Sequence, residues 1–100
     1  MTTIPRPDAN TVLRRTAALL DEGWRDSSSL STLCVSHDTG LRIELDDEDG
    51  QTFVYPRFGE NGEYGPKQCF VWRRGTEASA RSLAALIRAM AAAASAPTAG

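Results

Sequence analysis

Apolar and polar positions alternate most cleanly at residues 41–46, where Leu41, Ile43 and Leu45 point one way and Arg42, Glu44 and Asp46 the other. A period of two marks a half-buried strand, because successive side chains of an extended chain project to opposite faces. Upstream, Leu13, Ala17, Leu20 and Trp24 recur at spacings of four, three and four, widened by Val12 and Leu19. That stripe predicts an amphipathic helix over about 10–22, capped by Asp8 or Asn10 and closed near Gly23. A second stripe, Leu83, Leu86, Ile87 and Met90 with Ala80, Ala84 and Ala94, predicts a helix that Thr76 can cap and that continues through the alanine run 91–94 before fraying into the Ser95–Gly100 tail.

Four strands are expected between the helices: Leu30–Ser36, Leu41–Asp46, Gln51–Tyr55 and Lys67–Arg74. Turns at His37–Gly40 and at Asp47–Gly50 join the first three, and the Asp-Gly pair favours a tight hairpin. Pro56 is expected to stop the third strand for want of an N–H, and residues 56–66 read as an irregular glycine- and proline-rich loop. The fold expected is α+β, a two-layer sandwich of order α-β-β-β-β-α. Its antiparallel four-stranded meander carries both helices on one face. Residues 1–8 read as a flexible arm, 9–94 as a single domain and 95–100 as a disordered tail.

The third and fourth strands do not have one apolar and one polar face. Phe53 and Tyr55 oppose Val54, while Phe70 and Trp72 oppose Cys69 and Val71. Placing most of the aromatics under the helices leaves Val54, Cys69 and Val71 on the outer face. Either the loop 56–66 folds back over that patch with Phe58 or Tyr64, or a partner docks there.

Charge sharpens this picture through its distribution. The formal net charge is -2 over 100 residues, too near neutral for a general nucleic-acid coat. Residues 38–63, however, hold eight acids against Arg42 and Arg57, whereas residues 64–100 hold Lys67, Arg73, Arg74, Arg81 and Arg88 against Glu77 alone. Such asymmetry can orient a partner or a second copy. Alanine and arginine abundance, with ten of the eleven basic residues arginine, reads as a codon bias and carries little functional weight.

Candidate chemistry is sparse. Cys34 and His37 are three residues apart, but a thiol nucleophile also needs a group that orients its base. A zinc site from Cys34, His37 and Cys69 lacks a fourth ligand unless Asp38 supplies it, and it requires the first and fourth strands to be neighbours, as would a disulfide between the cysteines. The acidic run Asp46–Asp49 lacks the spacing of a calcium loop. The glycines at 59 and 62 lack the lysine and hydroxyl of a phosphate-binding loop. No cofactor or metal is expected. Neither a signal peptide nor a membrane span is visible, so a reduced, cytoplasmic location is the expectation.

The reading that remains is a small non-enzymatic protein-interaction module, an adaptor, inhibitor or regulatory subunit, with self-association through the sheet as one form of that role. Its candidate contact residues are Val54, Arg57, Phe58, Tyr64, Val71, Arg74, Arg81 and Arg88. The alternative is a nucleic-acid-binding protein using Arg73, Arg74, Arg81 and Arg88, and a small enzyme is the least supported class.

Overall fold

Asp8 starts the first helix: its carboxylate accepts from the Thr11 backbone N–H at 3.0 Å and from the Thr11 hydroxyl at 2.7 Å, satisfying donors that a helix N-terminus leaves open. Those hydrogen bonds hold the Asp8 carboxyl below its ordinary pKa. The computed structural model describes residues 7–30, 32–58 and 62–95. In it α1 spans Ala9–Leu19, β1 Trp24–Asp26, β2 Leu33–His37, β3 Leu41–Glu48, β4 Gln51–Phe58, β5 Gln68–Phe70 and α2 Thr76–Ser95. The strands form one antiparallel sheet in the order β1-β2-β3-β4-β5. Most of the arm and tail expected at 1–8 and 95–100 lies outside the described residues.

The architecture is therefore a five-stranded sheet flanked by two helices, and the expected four-stranded order is corrected by β1. Trp24 fits the end of the helical stripe and residues 25–30 read as a polar, serine-rich connection, yet α1 ends at Leu19 with Leu20 already extended, and 24–26 form a strand. Gly23, at φ 99°, turns the chain into β1 and lies so close to β2 that a Cβ there would sit 2.7 Å from His37 Nε2. Trp24 pairs with His37 across the ladder, their rings 5.0 Å apart.

Two further boundaries differ from expectation. Strand β4 runs through Pro56 to Phe58. The carbonyl of Pro56 accepts from Gly65 N–H at 2.7 Å. Within a strand a residue's N–H and C=O point the same way, so the missing donor of Pro56 faces away from β3 and breaks no bond of that ladder. Strand β5 is only three residues long, and the chain leaves the sheet after Phe70.

Register decides the faces. Val35 pairs with Ile43, Leu45 with Val54, and Thr52 with Phe70. Directly paired residues share a face. That face joins Val12 and Leu13 of α1 and Leu83, Ile87 and Met90 of α2 in one core. Val54 is thus fully buried, which corrects its assignment to the outer face, and Phe53 and Tyr55 take the outer positions instead.

Helix α2 begins at Thr76 itself, directly after Gly75 at φ 90°. Ser79 anchors the preceding segment: its hydroxyl accepts from Arg73 N–H at 2.8 Å and donates to the Arg73 carbonyl at 2.9 Å. Ser79 is fully buried. Ser79→Ala removes both bonds at once, so denaturant unfolding should report a loss of about 1–2 kcal/mol.

Candidate functional site

No element of the core layer covers the outer face of the sheet, and its polar residues assemble on that face. Across the strands, Ser36, Arg42 and Arg57 form one row, and Cys34, Glu44 and Tyr55 the next. Asp46 and Phe53 follow, with Cys69 beyond them on β5. Arg42 and Arg57 stand directly opposite each other, an arrangement of like charges that costs stability unless an anion intervenes. Glu44 is that anion. Its oxygen Oε2 lies 2.8 Å from Arg57 Nε and 3.6 Å from Arg42 Nε. The residue is only 8% exposed although it sits on a face without a helix.

The Glu44–Arg57 contact is an ion pair and not a directed hydrogen bond, since neither Glu44 Oε2 nor Arg57 Nε has a hydrogen-bond partner. The other carboxylate oxygen accepts from the Tyr64 hydroxyl at 3.0 Å. Tyr64 arrives from the segment after β4 and lies flat on the cluster. Its ring meets the Tyr55 ring edge-on at 5.6 Å and lies under the Arg57 guanidinium at 4.8 Å. Gly62 permits that path, because a Cβ there would fall 1.9 Å from the Phe58 carbonyl oxygen.

Cys34 completes the cluster as a fully buried thiol, pushed above its ordinary pKa by burial. At the far end, the Tyr55 hydroxyl donates to Glu48, which also accepts from Lys67 at 3.3 Å, and Lys67 lies 4.3 Å over the Phe53 ring. A cavity of about 360 Å³ lined by Thr32, Glu44, Asp46, Tyr55 and Tyr64 opens beside the cluster.

The hydrogen bond to Glu48 pushes the Tyr55 pKa up to about 12. A raised value means that the contribution of the neutral phenol is complete below the ordinary 10.0 and is lost as pH climbs through about 12. Ultraviolet titration should show one tyrosine ionising near pH 12, and Tyr55→Phe should remove that late step.

Of the residues expected to form a contact surface, the structure brings only Arg57 and Tyr64 together. Phe58, half exposed, faces the helix side and lines a cavity of about 330 Å³ with Pro56, Pro66 and Met90. Val71 is exposed beyond the end of β5, and Arg74 is exposed next to Gly75. Arg81 pairs with Glu77 at 3.2 Å, and Arg88 donates to the Leu19 carbonyl at 2.6 Å. Arg42, Glu44 and Tyr55 were missed as site residues. The outward phase of Arg42 and Glu44 was legible in the alternation, but their convergence on Tyr64 was not.

The other chemistry does not assemble. Cys34 and His37, three apart in an extended strand, project to opposite faces. Cys34 on β2 and Cys69 on β5 are separated by two strands, roughly 14 Å at the usual strand spacing and too far for a disulfide. Both are free thiols. Among the described residues no group of His, Cys, Asp or Glu could hold a metal ion, and no helix is long and apolar enough to cross a membrane. Comparison with family models, curated proteins and solved structures finds no match for this chain.

Proposed function

We propose that this chain is a non-enzymatic protein-interaction module whose binding face is the outer face of the sheet. The observation that carries the proposal is the ordered Arg42–Glu44–Arg57–Tyr64 cluster on a face that neither helix covers. A sheet face that only meets water can be built from short polar side chains. Phe53, Tyr55, Tyr64 and two arginines instead match the composition of interface cores, where aromatic residues and arginine dominate the binding energy. Their mutual contacts restrict the side chains in advance, which lowers the entropy lost on binding. A reduced, cytoplasmic setting belongs to the same proposal and is supported by the two free thiols.

The nucleic-acid alternative draws less support from this geometry. Glu44, Asp46 and Glu48 interleave with the aromatic and basic residues of the outer face, and these carboxylates oppose a phosphate backbone. Arg81 and Arg88, on the other layer, already engage Glu77 and the Leu19 carbonyl.

A photocrosslinking residue placed at position 53, on the outer face, should give protein adducts in the cells that make the chain. The same residue at position 14, exposed on α1, should give none. Equal yields from the two positions, or none from position 53, contradict the proposal.

A further inference from the structure

We infer that the partner on the outer face is a second copy of this chain, docked face to face about a two-fold axis; the inference rests on the outer face being the binding face. Charge changes sign along the strands of that face. Arg42 and Arg57 lie toward the β2–β3 turn, beside Arg25, which pairs with Ser36 in the ladder and by its side chain with Asp38 at 2.6 Å. Asp46 lies one row beyond Glu44 toward the β3–β4 tip, and Glu48, which is paired with Lys67 at 3.3 Å, one row further, so Asp46 carries the negative charge of that end. A two-fold axis over the Glu44–Tyr55 row turns the second copy end for end. It sets the Asp46 end of each copy on the Arg42–Arg57 end of the other, so one attractive contact occurs twice, while the two Glu44 carboxylates, each already paired with Arg57, face one another at the axis.

Asp46 is exposed at the surface and free to reach a guanidinium across the interface. Near the axis stand Tyr55 and the half-exposed Tyr64, whose rings supply the apolar centre.

Size sets the strength. Strands of three, five, eight, eight and three residues, at about 3.3 Å per residue and about 4.8 Å between strands, give a face of roughly 430 Å². That is about half of the roughly 800 Å² per partner of a standard interface, so the dimer is weak.

Sedimentation of the full chain over a wide concentration range should show a monomer–dimer equilibrium that weakens with added salt. Asp46→Arg and Arg57→Glu should each weaken it by at least about tenfold, through two like-charge contacts per dimer. An equimolar mixture of the two variants should recover part of the dimer, because positions 46 and 57 then carry opposite signs in both contacts. Circular dichroism checks that each variant folds; if Arg57→Glu does not, the exposed Arg25→Glu replaces it. A wild-type monomer at every concentration, single variants that dimerise as wild type, or a mixture that stays monomeric would each overturn the two-fold dimer. Adducts from position 53 to a different protein would then leave the outer face as a binding surface with another occupant, while loss of those adducts as well would remove the outer-face reading itself.

Discussion

Replacing Ile87 with alanine should lower the unfolding free energy by about 2–5 kcal/mol, as expected when a large core side chain leaves a cavity that its neighbours only partly fill. Ile87 is fully buried on α2 between Leu83 and Met90 and belongs to the core that joins both helices to the sheet. Leu86, one position earlier on the helix, is only partly buried. Leu86→Ala should therefore cost clearly less, and the ratio of the two losses in denaturant unfolding reads out the orientation of α2. Equal losses would mean that the helix is rotated relative to the sheet.

Glu44→Ala should cost about 2–4 kcal/mol, a large effect for a residue outside the apolar core. The substitution leaves Arg42 and Arg57 opposed with no carboxylate between them, and their side chains are only 22% and 18% exposed. Removing one member of a buried ion cluster leaves uncompensated charge in a poorly solvated place. It also takes the acceptor from the Tyr64 hydroxyl. Adding Arg57→Met in the Glu44→Ala background should recover part of the loss, because one of the two stranded charges is gone. A double-mutant cycle measures the coupling directly, and additive losses would show that the cluster does not act as a unit.

Both results depend on strand register, and register is where the sequence was most informative and least fully used. The alternation at 41–46 assigned the inner and outer residues of β3 correctly. The Asp49-Gly50 pair then contains enough information to place β4. A two-residue turn there pairs Glu48 with Gln51 and hence Leu45 with Val54, as observed. Counting back from that turn sends Val54 inward and Phe53 and Tyr55 outward. Aromatic size argues the opposite, because large rings bury the most area under the helices. On β5 the same assumption held for Phe70, which is buried, while Cys69 is exposed.

Other features had no local signature. Trp24 continues the helical stripe of Leu13, Ala17 and Leu20, so β1 could be recognised only through its pairing with His37. Pro56 looks like a strand terminator until the neighbouring ladder shows which way its nitrogen faces. The outer cluster is harder still. Arg42 and Arg57 are fifteen positions apart, and Tyr64 reaches Glu44 across a glycine-rich segment whose path no periodicity describes. Charge counting found the acidic middle and the basic end of the chain but not the reversal of sign along one sheet face.

The central claim is that the outer face of the sheet is buried when the protein meets its partner. Hydroxyl-radical footprinting tests it at residue level, comparing the purified chain under dilute conditions with the chain in its native assembly. The account predicts that Phe53, Tyr55 and Tyr64 become protected on assembly while the exposed side chains of α1 and α2 are labelled as before. Unchanged labelling of those three rings, with protection appearing on the helices instead, would contradict it.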